Sequence, residues 1–356
     1  MLELTYRCNL DCFYCYNDLG ARGEPLSLAQ YRATLDELQA MQVLHLVLTG
    51  GEPLAHPDFF AIGAHARALG FCVRVKSNGH ALRGTLARRL KGEVDPFVVD
   101  LSLHGATATS HDRQTRVPGS FARLLRNVEE MLALGLRLKL NATLTRWNED
   151  EVEGMFAIAD RFGLPLTVNP TVSPRDDGDR GPLDVAASRA GLLRFFALAD
   201  ARAAARTAAG AEVLPVSGRQ ADEGMPIGAG ANNCGAGTGS LTVDPYGNVL
   251  PCVQWRRPVG NLHRQPIGDI WRGSLRLAEV RRINAAAGAH AATLAADGPV
   301  SFCMGLSELE TGDPLQLAPS AAELRDAVLA HVDPARERLR PAAAPARRSS
   351  PLRVIG

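Results

Sequence analysis

Six short apolar runs recur through the first half of the chain, and the segments between them have the period of a helix. The runs are "LELTY" (2–6), "LHLVLT" (44–49), "CVRVKS" (72–77), "FVVDLSL" (97–103), "LRLKLNATL" (136–144) and "PLTVN" (165–169). Candidate helices lie near 27–41, 58–69, 81–91, 119–134 and 149–162. In the first of these, apolar side chains return at roughly i, i+3, i+4 and i+7 behind Ser27, a suitable N-cap. Strands that alternate with helices over short links pair in parallel, because each connection must cross back over the sheet. Strand count alone fits a partial β/α barrel or an open doubly wound sheet.

Beyond residue 171 the alternation stops. The polar stretch "TVSPRDDGDRGPLD" leads into an Ala-rich helix around 186–208, and residues 212–240 are rich in Gly and small side chains. Residues 241–252 read as a β-hairpin turning at Tyr246–Asn248, followed by a helix from Ile267 to about Ile283. The expected organisation is a first domain over 1–210, a second over 211–330, and a basic Pro/Ala/Arg-rich tail over 331–356 that composition marks as disordered.

A net charge of +1 over 356 residues gives no reason to expect a nucleic-acid partner. The sequence has no apolar run of membrane-spanning length and no signal segment, so a cytoplasmic protein with reduced thiols and no membrane partner is expected. Seven cysteines are an odd number, and three fall within eight residues. Metal binding fits that pattern better than disulfides.

The three are Cys8, Cys12 and Cys15, in "RCNLDCFYC" directly after the first strand. Thiolates suit iron or zinc. Zinc sites pair C-x₂-C knuckles and close at four ligands, whereas three thiolates on a cubane leave its fourth iron open. Followed by this strand–helix pattern, C-x₃-C-x₂-C resembles the signature of radical S-adenosylmethionine (SAM) enzymes. The resemblance implies an α/β fold, a partial (β/α)6 TIM-like barrel with a small C-terminal α+β Fe–S domain. It also implies a [4Fe–4S] cluster on Cys8, Cys12 and Cys15 with exchangeable SAM, which is cleaved by one electron to a 5′-deoxyadenosyl radical.

Further residues extend the likeness. "LTGGEPL" (48–54) is similar to the family's Gly-Gly-Glu motif, which implies that Gly50, Gly51 and Glu52 meet the SAM ammonium. Glycines let a backbone approach a ligand closely, and a carboxylate suits a cation. Ser77, Asn78 and Ser102 end the third and fourth strands, the functional face of β/α barrels, and match positions that contact SAM in the family. Tyr14 resembles the aromatic beside adenine, with Leu144 as a cover for the other face. Cys72, among apolar residues in "GFCVRV", reads as a small hydrophobe.

Cys234, Cys252 and Cys303 remain. C-x₁₂-G-x₄-C around Gly247, followed by "VGNLHRQPIGDIWRGSLRLAEVR" (259–281), resembles the SPASM extension of radical SAM enzymes. A full extension carries more cysteines, so a reduced, twitch-like form with one auxiliary [4Fe–4S] cluster is implied, its fourth ligand open. The competing readings are a decayed domain with no cluster and a zinc ion held with a histidine such as His263.

The family resemblance is to peptide-maturing members, in "SLHGATATSHDRQTRVPGSFARLLRNV" (102–128) and "SPRDDGDRGPL" (173–183). It implies a precursor-peptide substrate that is oxidised, cross-linked or epimerised, and a reductant such as a flavodoxin or ferredoxin. Since the chain opens on its first strand, either a separate peptide-recognition protein presents the leader or the true start lies upstream of Met1. Alternatives are maturation of a small-molecule or tetrapyrrole cofactor, sulfatase-type protein oxidation, or a non-enzymatic Fe–S carrier or sensor. No motif marks the acid or base, and His104 is a candidate by position alone.

Overall fold

The computed structural model describes residues 1–18, 20–208, 233–295 and 302–333. Much of the Gly-rich stretch at 212–240 and the tail beyond 333 lie outside them.

Strands β1 (Leu2–Glu3), β2 (His45–Thr49), β3 (Cys72–Ser77), β4 (Val98–Ser102), β5 (Leu138–Thr143) and β6 (Leu166–Asn169) pair in parallel, each with the next. The helices between them are α1 (Leu28–Ala40), α2 (Phe59–Ala68), α3 (Gly84–Arg89), α4 (Ala108–Thr115), α5 (Ser120–Ala133) and α6 (Val152–Phe162), with α7 (Arg189–Ala208) after β6. The short antiparallel strands β7 (Thr242–Val243), β8 (Asn248–Leu250) and β9 (Gly260–Asn261) follow, with β7 beside β1. The sheet order is β6-β5-β4-β3-β2-β1-β7-β8-β9, an open partial barrel continued by the hairpin. The C-terminal segment therefore extends the same sheet.

Side chains alternate between the two faces of the sheet along each strand. Val73 and Val75, Val99 and Leu101, and Leu138, Leu140 and Ala142 are buried against the helices, the Val and Leu side chains each contributing up to roughly 1.5–3 kcal/mol. The opposite face carries Arg74, Lys76, Asp100, Lys139 and Asn141. Arg74 donates to both Asp100 oxygens at 2.9 Å, and Asn141 donates to Asp100 at 3.2 Å. A concave face this polar is built to hold something other than apolar packing layers.

Helix α1 begins at the expected N-cap Ser27, and the cap is a capping box: Ser27 accepts from Gln30 N while Gln30 reaches back to Ser27 N. The helix expected over 267–283 is two, α8 (Ile267–Gly273) and α9 (Leu275–Ala295). Ser274 breaks it: its hydroxyl donates to Val259 O at 2.6 Å and accepts from Leu277 N. Helices α10 (Met304–Thr311) and α11 (Pro319–Val332) complete the described chain.

Candidate metal centre

The loop carrying Cys8, Cys12 and Cys15 leaves β1 at the C-terminal edge of the sheet and is tied down on three sides. The end of α4 receives Asp11 N at Thr115 O and Phe13 N at Gln114 O, at 3.2 and 3.0 Å. Arg175 donates to the carbonyls of Cys15 and Phe13, at 3.0 and 3.3 Å, and Asp176 N donates to Tyr16 O at 2.8 Å. On the third side stands the glycine pair. Gly51 N donates to Thr5 O at 2.6 Å and Glu52 N to Arg7 O at 2.9 Å.

Those contacts show what the glycines meet within the chain itself. A Cβ on Gly50, whose φ is +139°, would lie 2.3 Å from Thr5 O, and one on Gly51 would lie 2.6 Å from Arg7 O and Tyr6 O. The backbone that the glycines admit so closely is the chain's own cysteine loop.

All seven cysteines are free thiols. Burial pushes Cys12 up most, and the charges of Cys15 and Cys8 add to it, so the three sulfurs are electrostatic neighbours. Cys8 Sγ accepts from Leu10 N at 3.4 Å. Around Cys15, burial raises the thiol while the backbone N–H of Asn17 favours the thiolate. Thiols that receive N–H groups, with Arg175 beside Cys15 as a further favourable charge, suit an iron cluster, which needs them as thiolates.

Cys234, Cys252 and Cys303 form a second set with the same character. Burial pushes Cys252 up to about 11, with Cys303 and Cys234 adding, against the N–H groups of Gln254 and Trp255. Cys234 Sγ accepts from Ala236 N at 3.5 Å. Buried Asn284 on α9 clamps the first cysteine, accepting from Cys234 N and donating to Cys234 O and Ala236 O. Asn233 donates to Phe302 O at 2.7 Å, joining that loop to Cys303. Arg281 donates to Gly237 O and Trp271 O.

The zinc reading is overturned. His263 faces Gln30 Nε2 and Glu24 O, at 3.0 and 2.9 Å. Among the described residues no three His, Cys, Asp or Glu side chains converge as a single ion requires. A cubane is wider and takes one thiolate per iron, which suits neighbours that do not meet at a point.

The other expected positions separate into groups. Asn78 Nδ2 lies 3.7 Å from Cys8 Sγ. Glu52 is 1% exposed; burial pushes its carboxyl up to about 7, against hydrogen bonds from Asn78 N, Leu54 N and Ser77. Ser77 is buried, and Ser102 ends β4 half-buried. Leu144 is fully enclosed in the main core, which gives it a packing role in place of the expected ligand contact. Cys72 opens β3 and pairs with Leu44 O, as a strand residue should.

Two clusters escaped the sequence. Tyr14 OH is 2.5 Å from His104 Nδ1, and His104 N donates to His111 Nδ1 at 3.2 Å. Burial lowers His104 to about 4 and His111 to about 2, so both are neutral. Second, Arg256, four residues beyond Cys252, bridges Glu3 at 2.8 Å and Asp176 at 2.6 Å. "SPRDDGDRGPL" had marked the Asp176 segment, but nothing in the sequence paired it with Arg256.

Comparison with known proteins agrees with this geometry. Residues 2–159 match the Radical SAM superfamily, and residues 234–290 match SPASM, described as an iron-sulfur cluster-binding domain. Mycofactocin maturase MftC of Mycobacterium ulcerans is 34% identical, over 70% of this chain and 66% of its own length. PqqA peptide cyclase of Streptomyces rochei is 32% identical over 77% and 75%, and pre-heme d1 synthase of Dinoroseobacter shibae 29% over 79% and 74%. The chain thus spans about two thirds to three quarters of these relatives. In fold it is similar to anSMEcpe bound to AdoMet and a Cp18Cys peptide, with a TM-score of 0.71, 15% identity, and coverage of 95% and 97%.

Proposed function

Since the chain belongs to the radical SAM superfamily, we propose that it is a maturase acting on a ribosomally made precursor peptide. The observation that carries this is the pair of N–H-lined cysteine sets on one open sheet, beside relatives named as a maturase and a peptide cyclase. A sheet left open between β6 and β9 leaves room for a chain too bulky for a closed pocket. No described helix is long and apolar enough to cross a membrane, and a cytoplasmic setting is part of the proposal.

Cys8, Cys12 and Cys15 hold the cluster that takes SAM, and Cys234, Cys252 and Cys303 hold one auxiliary cluster. The first, when bound, supplies the electron that cleaves SAM to a 5′-deoxyadenosyl radical. Arg175, α4 and the glycine turn fix the three thiols at the sheet's edge. Tyr14 presents its ring there, oriented by His104. Gly50, Gly51, Ser77, Asn78 and Ser102 line the strand ends where SAM lies. The expected division at 1–210, 211–330 and 331–356 belongs to this reading, as do an external flavodoxin- or ferredoxin-type reductant and a separate peptide-recognition protein.

The test is anaerobic reconstitution, reduction and incubation with SAM, with 5′-deoxyadenosine measured by chromatography and candidate peptides by mass. Deoxyadenosine together with a mass change in a peptide is the expected result. Intact clusters that release no deoxyadenosine with any candidate would sink the proposal. Iron should approach about eight per chain and fall to about four when Cys8, Cys12 and Cys15 are replaced by Ala. A tetrapyrrole substrate is the second reading, favoured by the pre-heme d1 synthase relative. Deoxyadenosine formation with a tetrapyrrole and with no peptide would decide for it.

A further inference from the structure

The resemblance assigns Glu52 to the ammonium of SAM, but its carboxylate is already engaged by this chain. Ser77 Oγ lies 3.0 Å from each oxygen, Asn78 N donates to Oε2 at 2.9 Å, and Leu54 N donates to Oε1 at 3.2 Å. A carboxylate offers about four lone-pair sites, and the group is 1% exposed. Little of it is left for a ligand.

What Glu52 does hold is Asn78, by its backbone N–H. The other end of that residue is held too, since Asn78 Oδ1 accepts from His80 N at 2.9 Å. With both fixed, the amide has one orientation. Its Nδ2 points at Asn9 Oδ1, 2.7 Å away, and at Cys8 Sγ, 3.7 Å away. Cys8 is the exposed member of its trio, so the amide is one of few fixed dipoles near that sulfur.

We propose that Glu52 is a positioning residue for Cys8: it sets the peptide at Ser77–Asn78 so that the Asn78 amide donates to the Cys8 sulfur. This rests on the reading of Cys8, Cys12 and Cys15 as ligands of the SAM-binding cluster. A donor to a ligating sulfur stabilises the reduced, more negative state of the cluster. Glu52 therefore acts on the potential of the cluster before SAM arrives.

The experiment is a redox titration of the reconstituted full chain, followed by electron paramagnetic resonance at the signal that changes when SAM is added. It is run on wild type, Glu52→Gln, Asn78→Ala and the double variant, with SAM affinity measured in parallel. Without SAM, Asn78→Ala should shift the midpoint to more negative potential. Glu52→Gln, which also removes a charge that bears on Cys8, should change the midpoint by a different amount in the Asn78→Ala background than in wild type. An equal change in both would count against the proposal. In Glu52→Gln, SAM affinity should stay within about threefold of wild type. An unchanged midpoint in Glu52→Gln with SAM bound at least about tenfold more weakly would overturn the proposal and return Glu52 to direct SAM contact. Should Glu52→Gln fail to fold, Asn78→Ala decides alone, an unchanged midpoint counting against the proposal. A wild type with no SAM-responsive signal would instead remove the assignment of the trio, and this inference with it.

Discussion

At the scale of single residues, the unusual feature is how many titratable side chains are buried beside the cysteine loop. His104 and His111 are kept neutral by burial, at about 4 and about 2 against an ordinary value of 6.5. For a base whose folded pKa is depressed, the unfolded chain takes up protons first as pH falls. The stability these residues permit is therefore complete above about pH 6.5 and lost as pH drops toward 4. For His104 the loss at pH 4 is about 3 kcal/mol. Chemical denaturation of the metal-free protein at pH 7 and pH 4 measures it, and His104→Gln should narrow that difference by a similar amount. A variant with the same pH dependence as wild type would show that His104 titrates normally. His104 stood out in the sequence only by its place after a strand. The hydrogen bond to Tyr14 spans ninety positions, and no local pattern encodes it.

Among the elements, the parallel strands were legible because their outer faces are apolar at period two, and α1 because its cap is written in sequence. Helix α4 was missed for the opposite reason. "ATSHDRQT" has almost no apolar side chain, and it is held by polar contacts such as Glu151 to Thr107 and Ala106 N. Periodicity cannot report a helix that packs through hydrogen bonds. The glycine turn after β2 was found, but its partner was not, since sequence gives no hint of which backbone comes close. Gly51→Ala should cost at least about 1–3 kcal/mol, because the new Cβ meets fixed carbonyl oxygens rather than a movable side chain. Thermal melting would show the cost. Iron analysis of the same variant should show poor loading of the Cys8 trio alone; normal stability and normal iron would mean that the loop yields easily.

The whole molecule is joined across its length by charge. Arg256 sits between Glu3 and Asp176, whose side chains are 0% and 6% exposed. Removing the guanidinium leaves two buried carboxylates without a counter-charge, for which roughly 3–5 kcal/mol is the expected cost. Arg256→Met should therefore destabilise strongly in denaturant titrations, and adding Glu3→Gln and Asp176→Asn should recover most of the loss. If the triple variant is no more stable than Arg256→Met, the buried charges are not the cause. This link was invisible beforehand because its members are 253 positions apart, and a sequence shows which charges exist without showing which ones meet.

The pairing of β1 with β7 has a consequence for the order of events during synthesis. Leu2 is in register with Val243, and the Met1 amino group donates to Leu241 O across 240 positions. The strand that launches the cysteine loop thus keeps one unpaired edge until the hairpin strand Thr242–Val243 has been made. The loop of Cys8, Cys12 and Cys15 is thereby anchored on a strand whose free edge is closed only by a segment some 240 positions later in the chain.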